Sequence, residues 1–200
     1  MEFNPTKLKG AYIIEPKRFE DERGFFARTW CKEEFSINGL DANLLQCSIS
    51  FNIKRGTLRG MHLQLPPFAE TKVVSCTKGA IYDVIIDLRP GSDTYLQWIF
   101  AELTPENRRS LYIPKGFAHG FQTLADKTEV FYQISESYAP DCARGLRWND
   151  TTFNIDWTES VSVMSKRDQD YKDFLPDAFS ALDIFWIAIA HSNSIPGSWL

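Results

Sequence analysis

The chain has no excess of positive charge, no paired cysteines, no apolar run long enough to span a membrane and almost no long helical stretch. Lysine and arginine number 22 against 26 aspartates and glutamates, a net charge of -4 with a pI near 5.4. That balance argues against generic nucleic-acid binding, which asks for a basic face. It leaves room for a local group of cations around one phosphate-bearing small molecule. Cys31, Cys47, Cys76 and Cys142 are widely separated and form no CxxC pair, so neither a disulfide framework nor a paired-cysteine metal site is expected. Met1-Glu2-Phe3-Asn4-Pro5 does not read as a charged-then-apolar leader, and the expectation is a cytoplasmic protein with reduced thiols. The tract from Ala178 to Ala190 is apolar apart from Ser180 and Asp183. It falls short of the about 20 residues that a bilayer helix requires. Packing on the core or on a partner subunit is its expected fate, because such a patch left open invites association.

What the chain does have is a set of short apolar runs bounded by glycine, proline and asparagine. Leu44 to Phe51, Lys72 to Thr77, Ala80 to Leu88, Trp98 to Leu103, Ser110 to Ile113 and Glu129 to Ser135 read as strands. Strands at this spacing with little helix between them predict an all-β sandwich or barrel. Within the Ala80 run, Tyr82, Val84, Ile86 and Leu88 share one face; Ile81, Asp83, Ile85 and Asp87 share the other. Two aspartates among isoleucines suggest either a polar barrel interior or carboxylates at a sheet edge. Cys31 to Phe35 can form a short helix before Gly39, and Thr104-Pro105-Glu106-Asn107 has the look of a helix start. Residues 1–175 read as one domain, with 176–200 as an apolar extension.

Histidine is scarce, three in 200 residues, and two of the three sit in glycine-flanked strand segments that also carry cations. These are Thr57-Leu58-Arg59-Gly60-Met61-His62 and Pro114-Lys115-Gly116-Phe117-Ala118-His119-Gly120-Phe121. Arg59 and His62 are three apart, so on a regular strand they face opposite ways. They converge only if the strand bends, and Gly60 permits a bend. A metal site would want a second imidazole two residues after the first; here His62-Leu63-Gln64 offers an amide, and Gln64 and Glu70 complete only a weak ligand set. Without metal, His62 is a candidate base, best served by a carboxylate on its other nitrogen. Asp83, Asp87 and Asp168 are the candidates, and spacing does not choose among them. Tyr132 is a candidate acid, Lys72 a candidate for steadying charge on a substrate oxygen, and Arg23 and Arg59 candidates for a phosphate.

Taken together the motifs resemble the dTDP-4-dehydrorhamnose 3,5-epimerase family. They are Phe19-x-Asp21-x-Arg23-Gly24-x-Phe26, Thr57-Leu58-Arg59-Gly60-Met61-His62-x-Gln64, Lys72-Val73-Val74 and Gly79-x-Ile81-x-Asp83-Val84. Asp87-Leu88-Arg89-x-Gly91-Ser92-x-Thr94-Tyr95, Pro114-x-Gly116-Phe117-Ala118-His119-Gly120-Phe121, Trp148-Asn149-Asp150 and Ser165-Lys166-x-Asp168 continue the series in order. The resemblance implies a jelly-roll, cupin-like homodimer that uses no cofactor and no metal and acts on a nucleotide-diphosphate 4-keto-6-deoxy sugar. It puts the general base at His62 with Asp168 behind it, the general acid at Tyr132 and the enolate-steadying cation at Lys72. It puts Arg23, Phe26, Gln46, Ser48, Arg59, His119, Tyr138 and Lys166 among the substrate contacts, Tyr138 beside the nucleobase. Neither a nucleic-acid nor a membrane partner is implied.

The chemistry fits those residue types. A ketone at C4 acidifies the hydrogens at C3 and C5, a base removes one to leave an enolate, and return of a proton from the other face inverts the centre. That demands base and acid on opposite sides of the ring and a cation beside the C4 oxygen. The chain departs from the family pattern at Phe26-Ala27-Arg28, at Gln46-Cys47-Ser48, and at Ala143 and Arg144, where the family carries a glutamate. These positions border the nucleotide and the sugar periphery, so the nucleotide, the keto sugar and the number of centres inverted stay open. A 3,4-ketoisomerase and a non-catalytic sugar-nucleotide-binding cupin are the alternatives on the same fold.

Overall fold

The computed structural model describes residues 1–179. Thirteen strands are present among the described residues: β1 (Glu2–Pro5), β2 (Tyr12–Glu15), β3 (Arg18–Asp21), β4 (Gly24–Ala27), β5 (Gln46–Asn52), β6 (Leu58–Gln64) and β7 (Lys72–Lys78). They continue with β8 (Ile81–Asp87), β9 (Trp98–Leu103), β10 (Ser110–Ile113), β11 (Phe117–Thr123), β12 (Thr128–Ile134) and β13 (Ala143–Gly145). Two short helices, α1 (Lys32–Ile37) and α2 (Lys166–Gln169), complete the regular structure with a 3-10 turn at Pro176–Phe179.

The strands pair antiparallel into two layers, β1-β2-β10-β7-β12-β5 and β13-β6-β11-β8-β9, with β3-β4 as a separate hairpin. This is the all-β sandwich the strand pattern predicts, in the jelly-roll form the family resemblance implies. Between the layers lies the main core: Val74, Cys76 and Val130 from the first sheet against Ile81, Ile85, Phe117 and Phe121 from the second. The outer face of the second sheet is covered as well. Tyr82, Val84, Ile86 and Leu88 pack there with Leu146, Phe153, Phe174 and Phe179. Burial on both faces explains why β8 reads as a nearly continuous apolar run: all seven of its residues are buried. On the outer face of the first sheet, Phe35 of α1 packs on Val73 and Tyr112.

Three expectations need comment. The two faces of β8 divide as alternation predicts, and Asp83 lies on the inner one. Thr104-Pro105-Glu106-Asn107 starts no helix. The Thr104 hydroxyl accepts the Glu106 and Asn107 backbone N–H groups, and the Asn107 amide oxygen accepts those of Thr104 and Arg109, which closes a turn between β9 and β10. The apolar tract from Ala178 is described only as far as Phe179, which stacks on Phe174 at 5.4 Å between ring centroids; the rest of it lies outside the described residues.

The pairing of β6 with β11 decides the geometry of the site. His62 lies opposite His119, but Arg59 lies opposite Phe121, so three residue steps on β6 match two on β11. The surplus residue is a β-bulge at Gly60-Met61. Gly60 has φ +137, and a Cβ there would come within 2.5 Å of the Gly120 Cα. A Cβ on Gly120 would lie 2.6 Å from the Met61 sulfur. The two glycines therefore let the backbones touch, and the extra residue resets the alternation. Arg59 and His62 both line the space between the sheets, while Met61 and Leu63 pack into the outer cluster.

Candidate active site

A cleft of about 320 Å³ opens between the layers. Sheet β13-β6-β11 gives it Arg59, His62 and His119; sheet β7-β12-β5 gives it Lys72, Tyr132, Gln46 and Ser48. His62 and Tyr132 thus stand on opposing walls of one cavity.

His62 owes its orientation to α2. Ser165 caps that single turn, its hydroxyl accepting the Asp168 backbone N–H at 3.1 Å. The turn carries Asp168 inward, where its Oδ1 meets His62 Nε2 at 2.8 Å and its Oδ2 accepts the Gly60 N–H at 3.3 Å. Of the three carboxylates weighed from the sequence, Asp168 is the one beside His62. Burial pushes its carboxyl up, but the His62 hydrogen bond and charge, with those of Gly60 and Ser165, hold it below the usual carboxylate range. With Nε2 engaged, Nδ1 is the nitrogen left for a ligand. A base so held keeps its tautomer and gains a counter-charge when it takes a proton.

Asp83 serves the other histidine. Its Oδ1 lies 2.7 Å from His119 Nε2, while Oδ2 is buried without a hydrogen-bond partner. Asp87 is structural: it accepts from Arg89, Ser92 and Thr94 at the end of β8. The Tyr132 ring meets His119 edge to face at 6.3 Å. Burial first, then the Asp83 carboxylate, pushes the Tyr132 phenol up, outweighing Arg59 and Ser50, which pull it down. Tyr132 therefore holds its proton at neutral pH, the state that an acid needs.

The cleft is rich in cations although the chain is acidic. Lys72 Nζ pairs with Glu70 Oε1 at 2.9 Å, both side chains being 11% exposed. Arg59 carries no ion pair among the described residues and is aimed by Asn52, whose Oδ1 accepts its Nε at 2.7 Å. Gln64, read from sequence as a displaced metal ligand, is instead a buried junction. Its Nε2 donates to Glu70 Oε2, Phe68 O and Ser137 O, and its Oε1 accepts the Ala139 N–H at 2.6 Å. It ties the Lys72–Glu70 pair to the loop that carries Tyr138.

Three residues expected at the site lie elsewhere in the chain's own fold. Arg23, with its side chain 84% exposed, pairs with Asp21 at the tip of the β3-β4 hairpin. Phe26 lines a separate groove with Arg108 and Phe131. Lys166 points to solvent and pairs with Asp170 one turn on, at 2.7 Å. The cation that α2 turns toward the cleft is its neighbour Arg167, whose charge is favoured by Tyr138 and which lies 5.8 Å from the Tyr171 ring. Arg167 and Tyr171 escaped the sequence reading; the Ser165-x-x-Asp168 spacing of a capped helical turn is the signal that could have found them. Among the described residues, no group of three or more His, Cys, Asp or Glu gathers to hold a metal.

An antiparallel jelly roll whose cleft sets a carboxylate-backed imidazole across from a protonated phenol, amid cations, is the architecture of a proton-transfer enzyme for an anionic substrate. The profile of the dTDP-4-dehydrorhamnose 3,5-epimerase family matches residues 5–175. An enzyme of that name from Sinorhizobium fredii is 40% identical over 169 residues, 84% of this chain and 87% of its own. Another, from Methanothermobacter thermautotrophicus, is 42% identical over 173 residues, 85% and 92% of the two chains. The crystal structure of a Bacillus anthracis dTDP-4-dehydrorhamnose 3,5-epimerase, with TDP and PPi bound, superposes with a TM-score of 0.83 at 38% identity, covering 86% of this chain and 99% of that one. The chain belongs to the dTDP-4-dehydrorhamnose 3,5-epimerase family, a family of isomerases with the cupin-like fold.

Proposed function

We propose that this enzyme epimerises a nucleotide-diphosphate 4-keto-6-deoxy sugar at C3, C5 or both, using only its own side chains. The observation that carries the reading is the shared cleft of His62 and Tyr132, one on each sheet, with Lys72 lining it from the sheet of Tyr132. His62, backed by Asp168, takes the proton next to the ketone. Lys72 and His119 hold the enolate oxygen, and Tyr132 returns a proton from the other side of the ring. Arg59 and Arg167 take the diphosphate, Gln46 and Ser48 border the sugar, and Tyr138 offers its ring to the base.

The working unit is a homodimer in this reading. Arg23 and Phe26 cannot serve the cleft of their own chain, yet the hairpin that carries them presents Phe19 and Phe26 to solvent, 60% and 73% exposed. The edge strand β5 beside the cleft exposes Ile49 and Phe51 in turn. A second copy covers both and brings its hairpin to the ligand. The enzyme works in the cytoplasm, in keeping with four unpaired cysteines.

The test is solvent exchange. In D2O, NMR of dTDP-4-keto-6-deoxyglucose incubated with the enzyme reads deuterium at C3, at C5 or at both, and the product's configuration gives the centres inverted. His62→Ala abolishes the exchange. Wild-type enzyme that washes in no deuterium, or a His62→Ala variant that exchanges at the wild-type rate, overturns the proposal.

A further inference from the structure

We propose that Tyr171 is a positioning residue for His62, and that Gly145 is glycine in order to seat it. The inference rests on His62 being the base of the reading above.

β13 lies beside β6 with Gly145 directly opposite His62. The ring of Tyr171 lies on Gly145: a Cβ built there would come within 2.0 Å, 2.2 Å and 2.4 Å of three ring carbons. Gly145 has no left-handed backbone angle, so nothing in its own conformation forbids alanine. The constraint is the ring alone. That ring meets the His62 imidazole at 5.9 Å between centroids, inclined by 71°. Tyr171 follows α2 directly and comes three residues after Asp168, so one short segment delivers both the carboxylate at Nε2 and the aromatic wall beside the imidazole. Asp168 fixes one atom of His62; rotation about the bond to the ring is limited by what packs on its faces. His62 is 39% exposed at the side chain, and Tyr171 packs its ring against the imidazole. A methyl group at position 145 must push the Tyr171 ring off its seat and away from its present contact with His62. Proton abstraction is sensitive to such small misplacements, at about 10²-fold for an ångström.

The experiment is a double-mutant cycle on Gly145 and Tyr171, read in two ways: steady-state kinetics on the 4-keto sugar nucleotide, and NMR of the histidine rings in enzyme labelled at histidine. Gly145→Ala and Tyr171→Ala each lower kcat at least tenfold with KM within threefold, and each broadens or shifts the His62 ring signals. Tyr171→Phe, which keeps the ring, restores both to the wild-type values. Gly145→Ala added to Tyr171→Ala costs nothing further, because the ring that it would displace is gone. Additive losses in the double variant overturn the proposal, as do an unchanged kcat and unchanged His62 signals in Tyr171→Ala. Should Gly145→Ala fail to fold, the Tyr171→Ala and Tyr171→Phe pair decides alone. A wild-type enzyme inactive on every 4-keto sugar nucleotide sinks the proposed function, while the His62 signals still decide whether Tyr171 holds the imidazole.

Discussion

Replacing Asp168 by asparagine changes one charge and almost no volume, which makes it the sharpest perturbation of the proposed base, His62. The carboxylate is buried and lies 2.8 Å from His62 Nε2. A hydrogen bond to a charged group contributes about 1.5–3 kcal/mol. In buried hydrolase triads, the same exchange costs about 10⁴ in kcat. His62 is partly open to water, 39% at the side chain, and solvent therefore carries part of the imidazolium charge. The expected loss is smaller, about 10²–10³ in the deuterium wash-in rate, or about 3–4 kcal/mol at 1.36 kcal/mol per decade. KM should stay near its wild-type value, since Asp168 lies behind the histidine rather than against the ligand. Stability gives an independent reading. The Asp168 carboxyl is held below its usual value, so the stabilisation is fully present above the unfolded carboxyl's pKa of about 4 and is lost as pH falls through the lower, folded value. Thermal melts should show wild type ahead of Asp168→Asn at pH 6–7, and the gap closing on acidification below about pH 4. An Asp168→Asn enzyme that exchanges within threefold of wild type would refute the argument that Asp168 powers His62.

Tyr132→Phe should still wash deuterium in but invert about 10²–10⁴-fold more slowly; inversion at the wild-type rate, by NMR of the product, removes Tyr132 as the acid. Glu70→Gln strips the counter-charge from a mostly buried Lys72 and should cost about 3 kcal/mol, seen by calorimetry as a melting point lower by about 6–12 °C for a domain of this size. An unchanged melting point would mean that the pair contributes nothing. Arg59→Ala removes from the cleft a guanidinium that has no ion pair among the described residues and should weaken dTDP binding about 10–100-fold by titration calorimetry, with a shallower salt dependence. Equal affinities would show that the diphosphate sits elsewhere.

Much of the fold is written in local pattern. Trp98–Leu103 and Ser110–Ile113 are strands with the bounds the sequence suggests, and the others shift by a residue or two. The N-terminal strands β1 to β4 are harder to read, being four residues each and, apart from β2, largely exposed, so little alternation accumulates. The site is legible in residue type and opaque in pairing. His62, Tyr132 and Lys72 stand out by chemistry, but which aspartate meets which histidine depends on long-range packing: Asp168 arrives from 106 residues away and Asp83 lies opposite Phe121, two residues from His119. Lys166 and Arg167 differ only by one step around a single helical turn. That step of about 100° sends one to solvent and the other to the cleft, and no spacing in the chain reveals it. Arg23 and Phe26 belong to a hairpin that does not line the cleft of its own chain, a placement set by long-range packing rather than by local pattern.

The surplus residue at Gly60-Met61 makes the catalytic apparatus a matter of parity. Without that bulge, the three residue steps from Arg59 to His62 would alternate strictly and turn Arg59 toward the outer layer while His62 kept its place. Regular pairing of the same residues would therefore part the cation from the imidazole. Two abutting glycines, Gly60 and Gly120, guard that count, since a methyl group on either would force the strands apart and slide one past the other.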